Sequence, residues 1–230
     1  MSIQKDPGVG RGLFLGVSAY LIWGSFPLII IMLSFASPLE VVTWRIVFGF
    51  LVAAILTTVT KSWSAIASVF SNKNQMKWMI LATAVIGLNW TVYVIGIQNQ
   101  QTIETALGYF INPLVTILLA VIFLGEKLSR LQWVATGFGA LAVVVLSFDY
   151  GRLPWIALVL AISFGIYGLA KNKLGGRVTA INSFAIESGL LMPLAILQIT
   201  LLQISGGLQF AQNGPWGSAG LIFFGVMTAI

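Results

Sequence analysis

The chain of 230 residues is 58% hydrophobic and 8% charged, with a net charge of +6, whereas soluble domains carry about 25% charged residues. So much apolar side chain leaves too little polar surface to cover a water-exposed globule, and the solvent these figures point to is lipid. Cysteine and histidine are both absent, which excludes disulfides, thiolate nucleophiles and imidazole bases and leaves only oxygen ligands for a metal; no metal and no cofactor is expected.

A membrane-crossing helix needs about 20 apolar residues, and the chain offers such segments in succession. The first, near 12–33, follows Lys5 and Arg11 and carries Tyr20, Trp23 and Pro27 at i, i+3 and i+7. With Ser34-Phe35-Ala36 behind it, this stretch resembles a signal peptide. Its apolar run is too long for one and contains Pro27, so a span is expected. The turn at Ser37-Pro38 opens a second helix over 38–60, which holds Arg45. Trp63, Ile66, Ala67 and Phe70 then repeat at i, i+3, i+4 and i+7, a pattern for a short helix lying on the membrane surface.

A third span, 77–97, carries Asn89 and Tyr93 on one face. The fourth, 102–124, places Glu104, Gly108 and Asn112 within about 80° of arc. Pro113 follows, and its missing amide predicts a helix kink that turns Tyr109 and Asn112 toward a cavity. For Glu104 the plainer alternative is a carboxylate at the positive end of the helix dipole. Spans over 131–149, 153–172 (with Ser163 and Tyr167) and 178–204 (with Glu187) come next, separated by turns at Gly151 to Pro154 and Gly175-Gly176. An eighth begins at 216 after Asn213-Gly214-Pro215 and has too few residues by 230 to cross, so the expectation is a fold truncated after about seven and a half helices.

With the N-terminus in the cytoplasm, Lys5, Arg11, Lys61, Lys73, Lys77, Lys127, Arg130, Lys171, Lys173 and Arg177 all lie inside, Arg152 alone outside, and Arg45 within a span. That is the positive-inside bias. The net charge therefore reports topology and not a nucleic-acid partner. Trp63, Trp78, Trp133, Trp155 and Trp216 fall near helix ends, where interfacial anchors belong.

Ile22-Trp23-Gly24-Ser25-Phe26 aligns with Ser163-Phe164-Gly165-Ile166-Tyr167, and with one more residue of offset Ser37 meets Thr179 and Arg45 meets Glu187. A five-helix unit repeated in tandem inserts its second copy upside down, so residues 1–150 form one unit and 151–230 an incomplete, inverted second. Inverted repeats belong to alternating-access transporters that bind solute near the midplane. Arg45 and Glu187 each lie roughly 12 Å deep from opposite sides, about 5 Å apart in height across a core of about 30 Å. They face one chamber and pair there, or Arg45 holds the solute; the alternative is a fixed ion pair joining the halves.

Trp44-Arg45-Ile46, Asn89-Trp90, the block Glu104-Thr105-Ala106-Leu107-Gly108-Tyr109-Phe110-Ile111-Asn112-Pro113-Leu114-Val115 and the stretch from Leu124-Gly125-Glu126 to Gln132-Trp133 resemble RarD-type permeases, in the EamA branch of the drug/metabolite transporter superfamily. Glu187, Pro193 and Tyr167-Gly168-Leu169 fit the same pattern. The resemblance implies ten helices in two inverted five-helix repeats, a bacterial inner membrane, and cytoplasmic termini. Members are named for chloramphenicol sensitivity or resistance, and relatives export amino acids and other small metabolites. Arg45, Asn89, Glu104, Tyr109, Asn112 and Glu187 match the family pattern.

The function expected is a secondary permease, in the export direction, for a small amphipathic or zwitterionic solute. Its translocation candidates are Arg45, Glu187, Asn89, Tyr93, Glu104, Tyr109, Asn112, Trp23 and Tyr167, with proton coupling through Glu187. No phosphate-binding GxxxxGK[ST] loop occurs. An embedded enzyme would need a base or an acid pair, and a channel would need rings of like charge; neither pattern is visible.

Overall fold

The computed structural model describes residues 7–125, 127–149, 153–175 and 178–229. They form helices α1 (Pro7–Met32), α2 (Pro38–Val59), α3 (Trp63–Ser71), α4 (Lys73–Gln98), α5 (Thr102–Leu119), α6 (Arg130–Asp149), α7 (Trp155–Leu174), α8 (Ala180–Ile204) and α9 (Gly214–Met227), and a π-helical turn at Ala120–Leu124.

Local chemistry explains the boundaries. Ser37 caps α2 by accepting the Glu40 amide at 3.3 Å, with Pro38 at the first helical position, where its missing N–H costs nothing. Asn72 caps α4 through the amides of Asn74 and Gln75, each at 3.1 Å. Thr179 caps α8 by accepting from Asn182 at 3.3 Å. Gly175 ends α7 in the left-handed region, φ 67°, after Lys171 and Lys173 in the last turn, a glycine stop and a basic end that suit the helix dipole.

Six helices are long and apolar enough to cross a membrane: α1 from Gly12, α2, α4, α5 with its π turn, α7 and α8. The remaining two expected spans, α6 and α9, are shorter apolar helices over their described side chains, Arg130–Val145 and Gly214–Met227. Leu13, Phe14, Leu21, Met32, Phe110 and Ile204 all point outward, an apolar exterior that only lipid accommodates. The chain is an all-α, multi-pass membrane protein. In α3, Ile66 and Val69 are buried while Trp63 and Phe70 remain exposed, so the protein takes one edge of the expected stripe and leaves the other to the bilayer.

The interior is built on α2 packed against α8, and on α7 packed against both α4 and α5. Between α2 and α8 the contact is reciprocal. The Phe184 ring lies where a β-carbon on Gly49 would meet it at 3.0 Å, and the Phe50 ring meets Gly189 likewise at 3.2 Å. Small residues let helices approach closely where lipid supplies no hydrophobic drive. The main core cluster joins Phe26 and Ile30 of α1, Ile46 of α2, Trp90 of α4, Leu191 of α8 and Phe224 of α9. Pro113 lies inside α5, and the π turn that follows the helix is closed by Gly125 with φ 70°.

Candidate functional site

Arg45 enters the interior from the second turn of α2. Its guanidinium carbon lies 4.2 Å from the centre of the Trp90 ring and 5.6 Å from that of Phe224. The residue is 8% exposed, and its Nε is buried without an acceptor. Among the described residues no carboxylate and no hydrogen bond serves it. A cation–π contact contributes about 0.5–2 kcal/mol. Burying a guanidinium in a bilayer costs about 2.5–3.5 kcal/mol or more. The two ring contacts together recover about 1–4 kcal/mol, so at best they balance the burial, and Arg45 brings no net stability that an apolar side chain would not.

Beside it stands a satisfied polar knot. Asn89 of α4 donates to the Leu160 carbonyl at 3.1 Å and to Ser163 Oγ at 2.9 Å on α7, and accepts from the Tyr109 hydroxyl of α5 at 3.3 Å. Tyr93 meets Tyr109 edge to face at 5.8 Å between centroids, and Tyr109 meets Phe164 at 6.1 Å. Phe164 continues the row to Tyr167 at 5.8 Å. Aromatic rings from α4, α5 and α7 thus form a continuous row that ends at Tyr167, whose hydroxyl meets Glu187.

Glu187 has other company than the expected arginine. Lys171 of α7 forms its ion pair at 3.1 Å, Ser183 donates at 2.9 Å, and the Tyr167 hydroxyl lies 3.3 Å from both carboxylate oxygens. Lys171 also donates to Ser183. The expected Arg45–Glu187 pair is not formed, and the reason is local. Tyr167 and Lys171 are four residues apart on α7, Ser183 and Glu187 four apart on α8, and each pair presents one face. Those two faces close on each other after a short connection, within reach of a lysine stem. Lys171 had counted in the sequence only as a marker of orientation; the two i, i+4 spacings were the signal for its second role.

Two further buried acids tie the molecule together at the end where α2 and α5 begin. Glu40 is fully buried and accepts the amides of Gln209 (3.0 and 3.1 Å) and Phe210 (2.9 Å), with the Trp44 indole at 3.3 Å. Ser37-Pro38-Leu39-Glu40 has capping-box spacing, in which the acid serves the amide of the capping residue; here it serves the connection before α9 instead. Glu104 accepts the Ile156 amide at 3.0 Å and so holds the start of α7, a different helix from the one whose dipole the plainer reading invoked. Gln98 adds bonds to the carbonyls of Leu33 (3.4 Å) and Ala36 (3.3 Å).

Three candidates fall outside the cluster. The Glu104–Gly108 stripe forms the α5–α7 seam, because a β-carbon on Gly108 would lie 2.8 Å from Leu160 Cβ and 3.0 Å from the Ala157 carbonyl oxygen. Asn112, one turn on, accepts from Thr116 of its own helix at 3.3 Å. Trp23 is exposed on α1 beside Tyr20, ring centres 5.9 Å apart. Separately, a groove of about 290 Å³ runs between Thr116, Ala120 and Leu124 on one side and Gly165, Gly168 and Asn172 on the other; neither Arg45 nor Glu187 lines it.

Comparison with known proteins agrees with this architecture. The EamA-like transporter family matches residues 10–148. The chain is 38% identical to Protein RarD of Streptomyces exfoliatus over 95% of its length and 69% of that protein's. It is 32% identical to Protein RarD of Escherichia coli K12 over 96% of this chain and 74% of the relative. An uncharacterized transporter of Bacillus subtilis 168 is 34% identical over the same two shares, 96% and 74%. No solved structure matches the chain.

Proposed function

Because the chain belongs to the EamA-like transporter family, and is thereby a bacterial multi-pass membrane transporter, we propose that it is a secondary permease exporting a small metabolite or drug-like solute by alternating access. The observation that carries this reading is Arg45: a buried cation that brings no net stability, with rings around it and no acid against it among the described residues. A structural role would be filled better by an apolar side chain. In this reading Arg45, Trp90, Tyr93 and Tyr109 meet the solute, and Asn89 fixes the Tyr109 hydroxyl.

The two-unit organisation, 1–150 and an inverted 151–230, is part of the proposal. Its support is the register: Ser37 and Thr179, aligned by the repeat, both cap their helices through the amide three residues on, and Arg45 and Glu187 follow at the same distance. In this reading the N-terminus is cytoplasmic, on the distribution of basic residues, and the membrane is the bacterial inner membrane, as the family implies. Glu187 with Tyr167 and Lys171 is the group suited to proton coupling.

Counterflow in proteoliposomes tests the carrier mechanism. Vesicles preloaded in turn with chloramphenicol, phenylalanine or benzoate are diluted into the labelled compound. A carrier drives a transient accumulation of label above equilibrium. Labelled solute that passes but only equilibrates, without an overshoot, contradicts the reading and indicates a channel.

A further inference from the structure

We propose that the solute is a small organic monoanion, a carboxylate on a flat aromatic or conjugated body, and not a zwitterion; this rests on the permease reading and adds the substrate class to it. A cavity with one arginine and one glutamate would suit a carboxylate and an amine together. The structure removes the second half of that match. Glu187 is occupied by Lys171, Ser183 and Tyr167. Glu40 is occupied by two backbone amides and the Trp44 indole, and Glu104 by the Ile156 amide. Every acid described inside the spans therefore has its partner, and an ammonium group entering between these helices would find no described carboxylate free to receive it.

The cation is in the reverse position. Arg45 is more than nine-tenths buried, carries a fixed positive charge, and has rings for its only described partners. A guanidinium presents a planar fork of donors that matches a carboxylate. Tyr93, whose hydroxyl makes no hydrogen bond among the described residues, packs against the core cluster that holds Trp90 and Phe224 and offers a further donor to the same anion. The rings at Arg45 are those of Trp90 and Phe224, with Tyr93, Tyr109 and Phe164 joined edge to face beside the same core cluster. Such rings favour a flat apolar body by stacking or edge contact. Charge and shape select the same class of molecule.

The test uses the purified full chain in nanodiscs and three probes of similar size, benzoate, benzamide and benzylamine, followed by quenching of tryptophan fluorescence. The expected result is benzoate binding at least about tenfold tighter than benzamide, with benzylamine weakest, as for a charge-assisted contact. Arg45→Met abolishes the preference for benzoate and Arg45→Lys retains part of it. Equal affinity for the three probes, tightest binding of benzylamine, or no detectable benzoate binding overturns the proposal, and the native chain alone decides this if a variant fails to fold. The outcomes separate from those of the permease reading. Counterflow of a solute by a protein with no preference for the anion removes this inference only, whereas the expected preference without counterflow of any solute removes the carrier mechanism.

Discussion

Arg45 and Glu187 stand at matching positions in α2 and α8, and their surroundings differ in kind. Glu187 has three side chains on its carboxylate; Arg45 has ring faces. Lys171 is 30% exposed at its side chain and Glu187 is 2% exposed, which makes the pair asymmetric. Lys171→Met leaves a buried carboxylate without its cation and should lower stability by about 3–5 kcal/mol. Glu187→Gln leaves a lysine that reaches solvent and should cost clearly less. Thermal melts of the two variants in detergent check the order, and an equal loss from both argues against it. The sequence exposed both intramembrane charges, because a charge within twenty apolar residues stands out. It did not disclose Lys171 as a partner, since a residue near a helix end reads as a loop charge until the direction of its stem is known. Glu40 escaped for the same reason: its position at the start of α2 masks complete burial.

At the scale of elements, apolar runs and turn chemistry located the helices closely, because lipid forces every backbone amide into a helix and leaves few alternatives. What they could not reveal is which face meets which neighbour. Glu104, Gly108 and Asn112 share an arc; Glu104 and Gly108 meet α7 at its seam with α5, while Asn112 bonds to Thr116 of its own helix. A glycine at such a seam and a glycine facing a cavity look alike in one dimension. The distinction is testable by adding one carbon. Gly108→Ala places that carbon 2.8 Å from Leu160 Cβ and 3.0 Å from a backbone oxygen that cannot rotate away, and should destabilise by about 1–3 kcal/mol. Gly24→Ala, with nothing within 4 Å, should cost nothing. If both variants melt together, α5 and α7 are not packed as described.

Across the whole molecule, the end where α2 and α5 begin is drawn together by Glu40, Gln98 and Glu104 acting on backbone groups of other segments. Ser62 bonding to Asn182 at 3.0 Å joins α2–α3 to α8 at the opposite end. The absence of native cysteine allows the proposed orientation to be tested directly. In intact cells an impermeant maleimide should label Gln212→Cys and not Ser71→Cys; the reverse pattern would invert the molecule. The most direct test of the account is Arg45→Met, examined twice on one preparation. An unpaired buried cation replaced by an apolar side chain should raise the melting temperature, by the equivalent of about 1–4 kcal/mol, while the counterflow overshoot of whichever solute the native protein carries disappears. A variant that melts lower yet still drives the overshoot would show Arg45 to be a structural tie, and the chamber assigned to it would have no role in transport.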